Sequence, residues 1–576
     1  MKKEKIGGIA LFNGLILRSK KSEVISKYED GLIDVSKTNF TEENIKINFK
    51  KLPIIRGIFG IIDTLKNSAS YVIESAKKVL DGLIDEDESI EIGKFEMAIS
   101  YAIALVVIFS TLILLPNILS IFFDKNIQNV IQAIIQILIF VSYLVILKKT
   151  KVLNVLFEYH GAEHKVVNAY ENYSFEDISV EKVKNSSRFH IRCGGNLVVY
   201  FFIINILFTL LFTSNSIIIK SIYQLILMAF SIGISYEIIM IFARLPKPIN
   251  VLGYPAMLIQ YITTKEPSEE KIKLALLNMF NCCYSDKEIS INKYLRDINT
   301  IKDCELTIIV SFIASIKEFE YNYVYANIQE INLNINEIIK LDNMITKYYI
   351  KKIPFQYITS YQNFFNERYF VNESVLIPRA DTEILVEKAI EYIDKYNLKS
   401  MIDVCTGSGC VGISISKNSN IEKTILIDIS AKALEVTNKN IISNSVLNKC
   451  STLCSDLFNS LYLEENSNLI NGKYDIVVSN PPYIPTADIN GLSEDVKKEP
   501  RIALDGGIDG MNFYKKILIE AKNVLKIDGF LLFEIGYDEL NKIHDLIESD
   551  EDYELLESVK DYGGNDRVVV CRLHQI

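Results

Sequence analysis

Four long stretches of this chain carry almost no charge, and nothing else in the sequence restricts its fold as strongly. Residues 97–123, 126–147 and 196–219 contain no Asp, Glu, Lys or Arg, and residues 221–242 contain only Glu237. Each is close to the ~20 apolar residues with which a helix crosses a bilayer. A buried helix of a soluble domain normally keeps one polar face; these runs are almost without charge on any face. The expectation is four transmembrane helices, at about 97–123, 126–147, 196–219 and 221–243. The connecting loops orient them. Residues 148–195 hold eight Lys and Arg, whereas the connections at 124–126 and 214–220 hold one lysine each, and Arg244 and Lys247 follow the last run. Basic loops stay on the cytoplasmic side. The N-terminus and everything beyond residue 243 are therefore expected in the cytoplasm, in a multi-pass protein of the cytoplasmic membrane.

At 576 residues the chain has room for two to four domains. Charge divides it near residue 283: 31 Lys and Arg face 27 Asp and Glu before that point, and 31 face 45 after it. An acidic second half lacks the clustered cations that neutralise phosphates, so stable nucleic-acid binding is not expected there. The nine cysteines are scattered, without zinc-site or disulfide-framework spacing, and read as reduced cytosolic thiols. No short apolar run with a small-residue cleavage site marks a signal peptide at the N-terminus.

Residues 284–350 read as a small helical domain, with apolar residues at three-to-four spacing, as in Ile308, Phe312, Ile313 and Ile316. From about residue 400, β-rich runs at 400–404, 423–427, 474–479 and 530–535 alternate with helical stretches, the pattern of an α/β domain with a parallel sheet and crossover helices. The first of these strands runs through Asp403 into Cys405, Thr406, Gly407, Ser408 and Gly409, a glycine-rich turn that lets backbone approach a ligand closely. The next strand ends in Asp428, placed to hold ribose hydroxyls. The turn is not the dinucleotide signature, and its single-loop form suits a nucleoside without pyrophosphate. Asp456, followed by Leu457, is a third candidate, as an acceptor for an adenine amino group or simply as a loop cap.

Asn480, Pro481, Pro482 and Tyr483 follow the strand at 474–479 directly. Two prolines fix φ and remove two backbone donors. The rigid corner, with the Asn480 side-chain carbonyl, can accept both hydrogens of a planar NH2 group, and Tyr483 offers that group an aromatic face. An amide or exocyclic amine so held points its lone pair at a sulfonium methyl, and alignment supplies most of the acceleration. The bland alternative, an ordinary Asn-Pro turn, does not explain its place behind a cofactor-like loop.

This corner resembles the signature of S-adenosylmethionine enzymes that methylate planar nitrogens in adenine, cytosine or glutamine. From about residue 289 to the C-terminus the chain resembles the HemK-type release-factor glutamine N5-methyltransferases. The likeness includes Pro354 to Ile358, Val375 to Glu383, Glu499 to Leu504, Gly506, Gly507, Asp509, Gly510 and Glu534 to Gly536. Ala380 and Asp381 depart from the family's usual residues, and Leu457 stands where it often has tryptophan. The resemblance implies a Rossmann-like class I S-adenosylmethionine methyltransferase domain over 351–576, with residues 284–350 recognising a peptide-chain release factor through the glutamine of its Gly-Gly-Gln loop. It implies S-adenosyl-L-methionine held by Asp403, Cys405, Thr406, Gly407, Ser408, Gly409, Asp428, Asp456, Leu457 and Asn480. Asn480, Pro481 and Tyr483 would be catalytic, and the glutamine amide would sit on Asn480, Pro481, Pro482 and Tyr483. Two other readings stay open: a DNA or RNA amino-methyltransferase built on the same corner, and a membrane scaffold with an inactive methyltransferase tail.

Residues 5–282 resemble a family of bacterial membrane proteins of unknown function (DUF1385, YqhQ-like), through Gly7, Gly8, Asn13, Gly14, Arg18, Arg56, Gly57, the run His160 to Lys165, the run Ser187 to Gly194, and Thr263 to Pro267. Asn13 and Ile191 depart from that family's pattern. His160 and His164 share a helix face, and Glu163, His190 and Cys193 could complete a mixed donor set. The order is not that of a zincin. A polar packing cluster at the cytoplasmic membrane face is the favoured reading, and a metal site the alternative. Glu237, inside the last run, is a second polar anomaly.

Overall fold

The computed structural model describes residues 3–40, 52–60, 71–75, 106–107, 110–125, 127–211, 216–242, 244, 254–295, 302–463 and 473–574. It divides into two compact units, Met1–Asn343 and Met344–Ile576.

The first unit opens with a four-stranded antiparallel meander, β1 (Gly7–Ala10), β2 (Gly14–Arg18), β3 (Ser22–Glu29) and β4 (Leu32–Asn39), in sequential order. Glycine is required at 14 because a Cβ there would sit 2.1 Å from the Ser26 carbonyl oxygen of the neighbouring strand. Helices follow: α1 (Leu115–Ser120), α2 (Gln128–Lys148), α3 (Lys151–Asn172), α4 (Gly194–Leu211), α5 (Ile217–Phe242), α6 (Glu269–Cys283), α7 (Asp303–Lys317), α8 (Tyr321–Asn327) and α9 (Ile335–Tyr349). α6 is amphipathic, buries Leu274, Leu276, Leu277 and Phe280, and ties itself to the meander where Asn278 Nδ2 donates to the Leu15 carbonyl at 2.9 Å. Asn343 does the same for α9: its side chain accepts from the Ile33 amide at 2.7 Å and donates to the Ile33 carbonyl at 3.0 Å.

Two helices among the described residues are long and apolar enough to cross a membrane, Gly194–Leu211 and Ile218–Phe242. The expected span at 97–123 falls partly outside the described residues; its described part is a π-helical turn, Ser110–Leu114, running into α1. The sequence placed the last hairpin at 214–220. Instead α5 begins at Ile217, and Lys220 lies inside it with Nζ donating to Asn129 Oδ1 at 2.6 Å. Polarity in this bundle is inverted. Ile203, Leu207, Leu211, Ile218, Leu225, Ile134 and Leu138 are exposed, while Asn117, Gln136, Thr209 and Gln224 are buried. The buried groups bond to one another: Asn117 Nδ2 donates to Ser221 Oγ at 3.0 Å and Gln224 Oε1 at 2.9 Å, and Gln224 Nε2 to Thr209 Oγ1 at 3.0 Å. Glu237 pairs with Arg56, whose Nε donates to Oε1 at 2.7 Å.

The second unit is an α/β sandwich. Its seven strands are β5 (Ser400–Val404), β6 (Lys423–Asp428), β7 (Cys450–Cys454), β8 (Tyr474–Ser479), β9 (Leu525–Glu534), β10 (Tyr553–Lys560) and β11 (Asp566–Leu573), in the spatial order β7-β6-β5-β8-β9-β11-β10. Neighbours from β7 to β9 are parallel, and β11 is inserted antiparallel between β9 and β10. This is the strand order of a class I methyltransferase. The crossover helices are α10 (Glu383–Tyr396), α11 (Cys410–Asn418), α12 (Ala431–Ser443), α13 (Asn512–Val524) and α14 (Leu540–Glu548). The central strands are nearly continuous apolar runs because both faces are covered. One face holds Met401, Leu426, Ile476 and Leu532 against α10 and α11, and the other Ile402, Ile425, Val477 and Phe533 against α13 and α14. Strand order reverses between β5 and β8, and in such sheets ligands bind beyond the carboxyl ends at the reversal.

Candidate active site

Register sets the geometry. Val404 pairs with Ile427 on one side and Ser479 on the other, and Asp428 pairs with Cys454. Cys405, Asp428 and Asn480 therefore leave the sheet at one level on three adjacent strands, although up to 75 residues separate them in sequence. Ser479 Oγ donates to the Val404 carbonyl at 2.7 Å, which joins the two strand ends.

They border a cleft of about 300 Å³ lined by Val404, Cys405, Gly407, Ile427, Asp428, Ile429, Asp456, Leu457, Asn480, Pro482, Ala503 and Phe513, among others. The glycine-rich turn is held open. Cys405, Gly407 and Gly409 have φ of 60°, 56° and 81°, the last immediately before α11. The position of a Cβ on Gly407 has nothing within 4 Å, so the backbone there faces free space. α12 anchors the turn from behind: Thr437 Oγ1 donates to the Gly407 carbonyl at 2.8 Å, and Asn440 Nδ2 to that of Ser408 at 2.9 Å.

Asp403 does not line the cleft. Its Oδ2 faces inward, accepting from Thr406 Oγ1 at 2.6 Å and the Gly412 amide at 2.9 Å, and burial raises its carboxyl to about 7. It braces the turn. Asp428 does line the cleft. It accepts from the Gly407 amide at 2.9 Å and the Ser430 amide at 2.9 Å, and burial raises its pKa against these bonds. With Ile429 as a further backbone donor, about one lone pair of the carboxylate is left to accept from a ligand. Leu457, in the left-handed region at φ 47°, gives the cleft an apolar wall beside Asp456.

In the diproline corner, Asn480 and Pro482 line the cleft, while Pro481 is buried and Tyr483 packs, half-buried, against the apolar layer on one face of the sheet. Burial raises the Tyr483 phenol to about 12. Two glycines press on the corner: a Cβ on Gly506 would lie 2.7 Å from Tyr483 Cα and 2.8 Å from the Pro482 oxygen, and one on Gly510 2.5 Å from the Tyr483 oxygen. Asn480 Nδ2 donates to Thr382 Oγ1 at 3.3 Å, and both side chains lie close enough to Glu534 to favour its charged form. With its NH2 so engaged, the Asn480 carbonyl oxygen is the atom left to accept from a ligand.

Glu534 carried no role in the sequence reading beyond membership in a resembling motif. It ends β9, is buried, has a carboxyl raised by that burial to about 7, and keeps Oε2 without a hydrogen-bond partner. The legible signal was an acidic residue closing the strand next to the one that leads into the corner. Arg379 and Glu499 form an ion pair, and Glu499 Oε2 accepts from the Ile377 amide at 2.9 Å, which fixes the segment before α10.

In the first unit, the structure brings three of the five metal candidates together. Ligand atoms of His160, His164 and Cys193 lie within 4.8 Å of one another. Glu163 instead sits against Gly8, where burial raises its carboxyl to about 8, and His190 faces Glu171 across 3.5 Å, its imidazole lowered by burial to about 4.

Comparison with known proteins places both halves. The family model described as "Protein of unknown function (DUF1385)" matches residues 52–284, and that of the "Methyltransferase small domain" matches residues 381–494. The release factor glutamine methyltransferase of Clostridium acetobutylicum is 42% identical over 222 residues, 38% of this chain and 75% of that protein. The protein of the same name from Clostridium botulinum is 37% identical over 38% of this chain and 76% of its own length, and that from Bacillus anthracis 34% identical over 39% and 78%. A solved ribosomal protein L11 methylase from Lactobacillus delbrueckii subsp. bulgaricus aligns over 36% of this chain and 84% of its own at 17% identity, with a TM-score of 0.26, too low to add to the argument from strand order. Through its C-terminal region, the chain belongs to the release factor glutamine methyltransferase family.

Proposed function

We propose that residues 351–576 transfer a methyl group from S-adenosylmethionine to the side-chain amide nitrogen (N5) of the glutamine in the Gly-Gly-Gln loop of peptide-chain release factors. The observation that carries this reading is the shared cleft: the Asn480 corner, the Cys405–Gly409 turn and Asp428 border one space at the carboxyl ends of adjacent strands. The residues fit the cofactor, with an open glycine backbone, a cleft-lining carboxylate for ribose hydroxyls and an apolar wall at Leu457 for the base.

When bound, S-adenosylmethionine supplies an electrophilic methyl carbon on a sulfonium. Cys405, Thr406, Gly407, Ser408 and Gly409 form its cradle, Asp428 accepts from its ribose and Asp456 from its base, while Asp403 acts from behind by bracing the turn. The Asn480 carbonyl and the corner's backbone accept the two amide hydrogens of the substrate, which orients the nitrogen lone pair toward the cofactor. Thr382 and Glu534 keep the Asn480 side chain in that orientation. Gly506 and Gly510 hold the corner's backbone, and Tyr483 supports it from the core side. Alignment of a weak nucleophile, rather than a strong base, provides the acceleration.

The helices of residues 284–350 form the docking surface for the release factor, with Phe319, Tyr321, Tyr323 and Tyr325 exposed along them. Residues 1–282 form a membrane domain with four crossings, its N-terminus and the methyltransferase on the cytoplasmic side. The inverted bundle supports this: of the 18-residue windows in Gly194–Leu211 and Ile218–Phe242, only 22% and 24% are buried, whereas a soluble core helix is mostly buried. The test of the activity is transfer of radiolabelled methyl from S-adenosylmethionine by the full chain. Label on a release factor, none on its Gly-Gly-Ala variant and none on DNA is the expected result; label on DNA or on the Gly-Gly-Ala variant overturns the assignment.

A further inference from the structure

We infer that the first unit holds a divalent metal ion of the zinc class on His160 Nε2, His164 Nε2 and Cys193 Sγ, at the junction of α3 with the start of α4. One donor atom from each of the three residues lies within 4.8 Å of the other two, and Cys193 Sγ stands 3.2 Å from His160 Nε2. With zinc–nitrogen bonds of about 2.0–2.1 Å and a zinc–sulfur bond of about 2.3 Å, a tetrahedral ion separates its ligands by roughly 3.3–3.6 Å. The cluster needs at most about 1.5 Å of contraction along its longest edge to reach that geometry.

Independent features orient the donors. His160 Nδ1 is 2.8 Å from the Thr263 carbonyl and His164 Nδ1 is 2.6 Å from the Arg188 carbonyl. A carbonyl only accepts, so both rings carry their proton on Nδ1 and present an Nε2 lone pair, the outer-shell arrangement that metal-binding histidines use. The Thr263 carbonyl reaches His160 because α3 has glycine at 161, where a Cβ would lie 2.0 Å from the Lys265 carbonyl oxygen. Cys193 directly precedes α4, and the Gly195 amide donates to its sulfur at 3.2 Å. Motifs that lie apart in the sequence, at 160–165, 187–194 and 263–267, thus converge on one point.

Two imidazoles and a thiolate favour zinc over hard cations, and three protein ligands leave the fourth tetrahedral position to a non-protein ligand such as water, the arrangement of reactive rather than purely structural zinc. In binding, the Cys193 S–H bond breaks, its proton goes to solvent, and the freed sulfur pair forms the bond to the ion; no electron changes hands. The alternative is a neutral S–H···N contact that only packs the helices.

The test uses the full chain in detergent, purified without a polyhistidine tag, loaded with zinc or cobalt and freed of excess ion. Expected are about one equivalent of zinc per chain and, with cobalt, a thiolate-to-metal charge-transfer band. Cys193→Ser should abolish that band, and His160→Gln should lower bound zinc at least tenfold, while His190→Gln, beside the cluster but outside the ligand set, retains both. Zinc should also raise the wild-type melting temperature but not that of Cys193→Ser. A monodisperse wild type that takes up no zinc or cobalt, or that binds cobalt without the thiolate band, overturns the site, whatever the folding of the variants.

Discussion

The helical bundle of the first unit and the seven-stranded sheet of the second distribute polarity in opposite ways. In the bundle, Leu207, Leu211 and Ile218 face outward while Asn117, Thr209 and Gln224 are buried and bonded to one another. In the sheet, Ile402, Val477 and Leu532 fill the layers, and buried polar groups collect at the carboxyl edge, where Asp403, Ser479 and Glu534 stand behind the segments that border the cleft. With the bundle in a membrane, as proposed, the difference is one of solvent. Water rewards apolar burial in the second unit. Hydrocarbon would give a helix pair no such reward, leaving close packing and interhelical hydrogen bonds to hold the bundle. Polar burial accordingly serves cohesion in the first region and chemistry in the second.

The comparison breaks most visibly at Asn480. Asn480→Ala should lower methyl transfer by about 10³-fold or more while the cofactor dissociation constant, read by calorimetry, shifts by less than about threefold. Normal turnover would mean that the corner orients nothing. Next in size is an outward apolar position. Leu207→Asp should raise the apparent insertion free energy of the 194–211 segment by about 3 kcal/mol in a translocon assay. The comparably exposed Ile519 on α13 should tolerate aspartate within about 0.5 kcal/mol in urea unfolding. Equal tolerance at both would make the bundle an ordinary soluble surface.

Glu534 sharpens the contrast further. Its carboxyl rises by burial from its ordinary 4.5 to about 7, so the folded state holds the proton more tightly than the unfolded chain. The stability it contributes is complete below pH 4.5 and is lost as pH rises through about 7. Glu534→Gln should therefore remove about 1–3 kcal/mol of the fall in second-unit stability between pH 5 and pH 8, followed by urea unfolding at each pH. The smallest effect belongs to the bundle interior. Gln224→Leu leaves Asn117 and Thr209 short of a partner and should cost about 0.6–2 kcal/mol of bundle stability, with methyl transfer unchanged.

Much of the second unit was legible because its signals are local. A strand followed by a glycine turn, an acid closing the next strand and a diproline corner closing a third each lie within a few residues, and the parallel α/β pattern then aligns strand ends. The direction of a side chain was not legible. Asp403 lies one residue before the end of β5 and Asp428 ends β6, yet the first points inward to Thr406 and Gly412 and the second lines the cleft. Glu534 was not legible as a site residue because Thr382 and Asn480, the side chains that act on its carboxyl, are 152 and 54 positions away.

The order of amino acids by itself determined which stretches lack charge, where strands alternate with helices, and where a rigid diproline corner closes a strand, since these follow from hydropathy, periodicity and the covalent limits of glycine and proline. Only the tertiary structure decided that His160, His164 and Cys193 meet while Glu163 and His190 stand aside, and that Asn480 shares a cleft with Gly407. The physical reason is that convergence of distant groups depends on strand register and on close backbone approaches, such as Gly161 beneath the Lys265 carbonyl, which sequence spacing does not encode.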